Sequence, residues 1–245
     1  MWVQMWVLPR SCMASTLRLN RSSLKICSKL HPLLSLAMTR KSYVHYGGSY
    51  AGPAPHEFDN FDASPTLRLE RFPLLGSFVH KNPKRFPLNV RYGDITRGPL
   101  VKPGTSSGVY CSHVLEHLSF EDCQVALKNT YAMLSHGGIF RFVFPDLRKI
   151  ALDYVHGDLD GNGFMDETGL GVKRRAKGVK GFLKAFLGNS EHLWLWDEES
   201  ICCELEKAGF GAIRRAAFGD SVDPMFQLVE SPGRWHGHLG IECRK

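Results

Sequence analysis

From Ser42 to the C-terminus, short β-prone runs ending in Gly, Asp or Ser alternate with longer segments whose apolar residues recur every three or four positions. The runs are Tyr43–Tyr46, Phe58–Phe61, Leu88–Tyr92, Gly108–Cys111, Ile139–Phe144, Ala212–Phe218 and Leu239–Cys243, so seven strands are predicted. Strands separated by long connections pair in parallel, because a parallel pair needs a crossover. The pattern therefore predicts an α/β fold built on a mostly parallel sheet.

Three helices follow from the same reading. After Ser119, which forms a capping box with Asp122, the positions Cys123, Ala126, Leu127, Thr130, Tyr131 and Leu134 share one face, and Gly137-Gly138 stops the helix. After Pro145 the stripe is Leu147, Ile150, Ala151, Tyr154 and Val155, ended by Gly157. A third helix is capped by Asp197, buries Ile201, Cys202, Leu205 and Ala208, and stops at Gly209.

Composition narrows the class. With 245 residues, 43% hydrophobic and 22% charged, the chain fits one globular domain and excludes fibrous and disordered proteins. No stretch approaches the roughly 20 apolar residues of a membrane-spanning helix. The net charge of +7 comes from the front: residues 1–41 carry seven basic residues and no acid, which leaves 24 against 24 in the remainder. No nucleic-acid partner is expected of a neutral globular part. Residues 1–41, which also hold eight Ser or Thr, read either as an organelle transit peptide or as a stretch ahead of a true start at Met38. The domain is expected over residues 42–245, in the cytoplasm, or in an organelle matrix if the leader is a transit peptide. Seven Cys without a C-x-x-C pair argue against a disulfide framework or zinc ribbon.

Candidate chemistry begins at the first predicted βα turn, Tyr46-Gly47-Gly48-Ser49-Tyr50-Ala51-Gly52, and at Asp62, which ends the second strand. Glycines there let backbone approach a ligand closely, and a carboxylate at the second strand's end accepts hydrogen bonds from both ribose hydroxyls. The same Gly cluster is also read simply as a turn. Asp62 lies 15 residues after Gly47, short of the ~20 usual in a dinucleotide site, and the 11 Gly- and Pro-rich residues between Tyr46 and Phe58 predict a loop in place of the first crossover helix.

Further signals follow in order: Asp62-Ala63-Ser64-Pro65, Gly93-Asp94-Ile95 after strand three, and Cys111-Ser112-His113-Val114-Leu115-Glu116-His117 after strand four. To these are added Met133–Phe140 leading into strand five, Phe144-Pro145-Asp146-Leu147 at its end, and Lys207-Ala208-Gly209-Phe210. From about Ser42 onward the chain resembles the class I S-adenosylmethionine-dependent methyltransferases, particularly small members of the type-11 group. The resemblance implies a Rossmann-like, seven-stranded, mostly parallel sheet with helices on both faces, S-adenosylmethionine as cofactor, and methyl transfer to an O, N or C atom of a small-molecule or glycan-like acceptor. It implies that Tyr46, Gly47, Gly48 and Ser49 pass under the methionine part. Asp62 would hold the ribose, Asp94 and Ile95 would meet the adenine, and Cys111 and Ser112 would line the pocket. Ser49 stands where the family has a second glycine, which leaves open a binding module that has lost activity.

Methyl transfer needs alignment and, for some acceptors, removal of a proton. The candidates for that proton are His113, Glu116, His117 and His192, each of which also has a purely structural reading. His113-x-x-Glu116-His117 also matches the inverted zincin pattern, in which a helix presents two His to zinc, so a zinc hydrolase is the alternative from another reaction class. Its position directly after a strand favours a loop, and no metal ligand is assigned. The stretch at about 158–190 lacks a sustained period and is read as an insertion or lid. Its run Lys173, Arg174, Arg175, Lys177, Lys180 and Lys184 is read as a solvated face.

Overall fold

A computed structural model describes residues 42–47, 52–71, 85–173, 178 and 191–245. The predicted leader, Gly48, Ser49 and most of 174–190 lie outside the described residues. The sheet has seven strands: β1 (Ser42–Tyr46), β2 (Phe58–Asp62), β3 (Val90–Tyr92), β4 (Ser106–Ser112), β5 (Leu134–Phe144), β6 (Gly211–Ala216) and β7 (Leu239–Arg244). Their spatial order is β3-β2-β1-β4-β5-β7-β6. The first five pair in parallel, whereas β7 runs antiparallel to both β5 and β6. The chain winds outward from β1 through β2 to β3, then returns to β4 on the other side of β1. That reversal makes the carboxyl ends of β1 and β4 the switch point of the sheet, where open α/β sheets bind ligands.

Alternation along the strands divides the core. Val44, Tyr46, Val109, Cys111, Phe140, Phe142 and Phe144 point to one face, where they pack against Cys123, Ala126 and Leu127 of α2 (Phe120–Met133) and Ile201 and Leu205 of α5 (Glu198–Ala208). Tyr43, Tyr110, Ile139 and Val143 point to the other, where they meet Phe226 of a 3-10 turn and Trp235 of α6 (Pro232–Trp235). Among the described residues this second face is thus covered by short turns rather than long helices. A short α1 (Pro65–Glu70) covers a satellite cluster of Leu67, Phe86 and Val90. Between β1 and β2 the described residues hold no helix, as the short connection requires. No described helix is long and apolar enough to cross a membrane.

Two helical details differ from the sequence reading. α2 ends at Met133, not at Gly137-Gly138, because Leu134 is already extended and pairs with Ser106 as β5 begins. In α3 (Leu147–His156) only Ile150 is buried, and Tyr154 and Val155 of the predicted stripe are exposed. The predicted caps agree: Ser119 and Asp197 accept backbone N–H groups, and Gly157 and Gly209 end their helices in the left-handed region; α3 is capped in the same way by Asp146. The predicted lid contributes α4 (Gly161–Thr168).

Two polar residues of the core strands are well paired. Arg141 of β5 is fully buried; it donates to Glu230, to Asp220 at 2.9 Å, to Glu242 at 3.1 Å and to the Ala217 carbonyl at 2.6 Å, and it lies over the Trp235 ring. Such a charge is tolerable only because carboxylates surround it. His45 of β1 donates Nδ1–H to Asn60 Oδ1 at 3.2 Å, and burial pulls its pKa from 6.5 down to about 4. The unfolded chain therefore takes up this proton first on acidification. Stability from His45 is full above about pH 6.5 and is lost toward pH 4, at up to ~1.4 kcal/mol per pH unit. The slope of unfolding free energy with pH between 6.5 and 4 is expected to flatten in His45→Gln; an unchanged slope, read by urea unfolding at several pH values, contradicts this assignment.

Candidate functional site

The crevice between β1 and β4 is closed at its floor by one contact. Gly47, the first residue after β1, has φ +69°, and a Cβ there would lie 2.1 Å from Val114 Cγ2. Only glycine combines the left-handed backbone with that approach. Its N–H donates to the Phe61 carbonyl at 2.9 Å, and the Gly93 N–H donates to the Asp62 carbonyl at 3.1 Å, so the ends of β1, β2 and β3 are stepped together.

Asp62 ends β2. Its Oδ1 accepts the Ser64 N–H at 2.7 Å, while among the described residues nothing donates to Oδ2. Burial pushes its pKa up, partly offset by that N–H. Asp94 is engaged by its own turn: Oδ1 accepts from Thr96 N–H at 3.0 Å and Thr96 O–H at 2.7 Å, and Oδ2 pairs with Arg97 at 3.1 Å. Ile95 is buried in the core, and its carbonyl accepts from Asn129 at 2.7 Å. Tyr46 and Cys111 are also core residues. The Tyr46 hydroxyl meets Thr130 Oγ1 at 3.2 Å, and burial raises both the phenol and the thiol, so each is held neutral. Ser112 is bound by Arg234, which donates to its Oγ and its carbonyl, both at 2.7 Å. Of the sequence-predicted cofactor residues, Gly47 and Asp62 thus stand at the open end of the sheet, while Tyr46, Ile95 and Cys111 contribute packing.

After β4 the backbone turns sharply. His113 has φ +53°, and Leu115–His117 form one 3-10 turn rather than a helix. His113 and His117 therefore do not share a helix face, and the inverted zincin arrangement is not formed. His113 Nε2 donates to the Arg234 carbonyl at 3.1 Å, which leaves Nδ1 facing Glu116 Oε1 at 3.1 Å. The Glu116 carboxylate is fully buried, and neither oxygen receives an aligned hydrogen bond. His238 packs edge-on against the His113 ring at 4.6 Å and donates to the same Arg234 carbonyl at 2.9 Å; burial, then the His113 charge, lowers its pKa.

The segment before α5 is lashed to this turn. Leu193 N–H and Trp194 N–H both donate to the Glu116 carbonyl, at 2.7 and 3.2 Å, and Leu147 N–H donates to the Trp196 carbonyl at 3.0 Å. His192 is thereby brought beside His117, with ring centroids 4.9 Å apart. Trp196 is buried against Phe120, while Trp194 remains partly exposed. Arg234 and His238 were not among the sequence candidates. They lie more than 110 residues from β4, with only the polar cluster around Trp235 as a signal. A cleft of about 170 Å³, lined by Pro145, Asp146, Ile150, Glu167 and His238, opens beside them. The larger 380 Å³ depression, at Ser135–Ile139 and Val222–Pro224, lies at the opposite end of β5 from these groups.

No protein-family model and no curated protein matches the chain. Among solved structures, a SAM-dependent methyltransferase of Thermotoga maritima is 12% identical over 89% of this chain and 88% of its own, with a TM-score of 0.44. One from Archaeoglobus fulgidus is 14% identical over 92% and 95%, also at 0.44. PigF with SAH is 14% identical over 87% of this chain and 53% of its own, at 0.42.

The Gly47–Val114 contact is testable by coupling. Gly47→Ala should cost about 1–2 kcal/mol for the backbone plus the clash. Adding Val114→Ala should recover the clash and leave the backbone cost. Strictly additive losses in urea unfolding contradict the contact.

Proposed function

We propose that the chain binds S-adenosylmethionine across the carboxyl ends of β1, β2 and β3 and transfers its methyl group to a small-molecule or glycan-like acceptor. The observation that carries this reading is Asp62: a half-buried carboxylate at the end of β2, next to the glycine that ends β1, with one oxygen fixed by Ser64 and the other left to accept. A pair of vicinal hydroxyls satisfies such an oxygen at this position of a doubly wound sheet.

When bound, the cofactor supplies an activated methyl group on a sulfonium. The chain's part is to orient and to exclude water. Gly47 fixes the depth of the crevice through Val114, and Asp62 anchors the ribose end. Asp94 stiffens the turn beyond β3 through Thr96, so its role toward an adenine is carried by the turn's shape. On the acceptor side, the His113 Nδ1 and Glu116 Oε1 pair attracts only with a proton between them, since His113 Nε2–H is already donated to Arg234. This pair is the chain's place to hold a proton taken from an acceptor. We place the activity in a domain over residues 42–245, with the stretch at about 158–190, including α4, as its lid.

Calorimetric titration of S-adenosylhomocysteine into the full chain tests the reading. Asp62→Ala should weaken binding by about 1.5–3 kcal/mol with little change in unfolding midpoint, because it removes hydrogen bonds to a charged group at an open site. Leu127→Ala, in the α2 core, should instead lower stability by about 2–5 kcal/mol while the folded fraction still binds. Wild-type binding that Asp62→Ala leaves intact contradicts the site, and no binding by the wild type contradicts the function.

A further inference from the structure

We infer that Glu116, His117 and His192 form a binding site for a divalent metal ion of the zinc class, formed by a residue set different from the His113-x-x-Glu116-His117 sequence pattern. One ligand atom from each of these three side chains can be chosen so that all lie within 4.8 Å of one another. The site shares Glu116 with the proposed proton-holding pair, since Glu116 Oε1 also faces His113 Nδ1 at 3.1 Å.

The proton inventory favours coordination. His117 Nδ1 lies 3.0 Å from the Glu191 carbonyl and His192 Nδ1 lies 2.7 Å from the Thr168 carbonyl. A carbonyl only accepts, so each Nδ1 carries a hydrogen, and in the neutral ring the lone pair is on Nε2. This is the arrangement that fixes the tautomer of metal-binding imidazoles, whose second nitrogen donates to a carbonyl or carboxylate. Glu116 supplies the charge. Its carboxylate is fully buried without an aligned hydrogen bond, with only His113 Nδ1 facing Oε1 at 3.1 Å, a costly state that a cation relieves.

The placement is held by the backbone. Leu193 and Trp194 N–H groups bind the Glu116 carbonyl, so residue 192 cannot move away from residue 116 without breaking two hydrogen bonds. On the other side Gly169, with φ +63°, presses the His192 ring: a Cβ there would lie 2.6 Å from Nδ1. The present spread of ligand atoms exceeds the roughly 3.4 Å edge of a tetrahedral site with bonds of ~2.0–2.2 Å, and rotation of the side chains closes the difference. Two neutral imidazoles and one carboxylate select a borderline ion such as Zn²⁺ or Co²⁺ over Ca²⁺ or Mg²⁺, which prefer oxygen. His117 and His192 are only partly buried. Three protein ligands with an open side leave a coordination position for water or an oxygen atom of a bound molecule.

The test is metal content and Co²⁺ absorption of the full chain, stripped by chelator and dialysed against Zn²⁺ or Co²⁺ alone. One equivalent is expected, with Co²⁺ bands lacking thiolate charge transfer. Glu116→Gln, His117→Gln and His192→Gln should each lose it at the same free-metal concentration, with folding checked by circular dichroism. His113→Gln should retain it. The inference is overturned by a wild type that takes up no more metal than the Glu116→Gln/His192→Gln double variant. It is equally overturned by thiolate bands, which assign the metal to cysteines, or by loss in His113→Gln with retention in His192→Gln. Since metal uptake is read without S-adenosylhomocysteine, its outcome is separate from that of the cofactor titration.

Discussion

The pairing of β1 with β4 is the constraint from which the rest of the site hangs. The chain winds outward in opposite directions from these two neighbours, which makes their carboxyl ends the switch point where open α/β sheets bind ligands. Gly47 on one side and Val114 on the other meet across it, and no side chain larger than hydrogen fits at position 47. The steps that follow, Gly47 N–H to Phe61 and Gly93 N–H to Asp62, carry the edge of the crevice to β3. The position of Asp62 is therefore a consequence of strand register.

The turn after β4 depends on a second constraint, the left-handed His113 and the single 3-10 turn that follows it. This turn buries the Glu116 side chain while leaving its carbonyl free to take two N–H groups from residues 193 and 194. One residue thus organises three distant pieces of chain: the end of β4, the segment before α5, and, through His113 and Arg234, the approach to β7. A strained backbone and an unsatisfied carboxylate in one short turn are what a functional site costs in stability. The buried Arg141 cluster is the contrasting case, with all three guanidinium nitrogens hydrogen-bonded and a structural role in joining β5 to the antiparallel strands.

Much of this was legible in the sequence. Seven alternating runs, the caps at Ser119 and Asp197, and the glycine stops at 157 and 209 are local signals, and the structure has them where the pattern placed them. The end of α2 was not, because pairing of Leu134 with Ser106 is a long-range contact that overrides a Gly-Gly stop. Nor was the exposure of Tyr154 and Val155, since an apolar stripe does not reveal whether anything lies opposite it. Gly47 and Asp62 stand out from turn chemistry at strand ends, and the structure has both at the carboxyl end of the sheet. The joining of His117 to His192 was not legible, being made by backbone hydrogen bonds between segments about 75 residues apart. Arg234 and His238 were missed for the same reason.

The central claim, that the ends of β1 to β4 form one ligand crevice, is tested most directly by hydrogen–deuterium exchange of the full chain with and without S-adenosylhomocysteine. Slowed exchange is expected at the backbone following β1, β2, β3 and β4, around Gly47, Ser64, Asp94 and His113, with the amides at Ser135–Ile139 unchanged. Protection confined to the Ser135–Ile139 end of the sheet, or no protection anywhere, would contradict it.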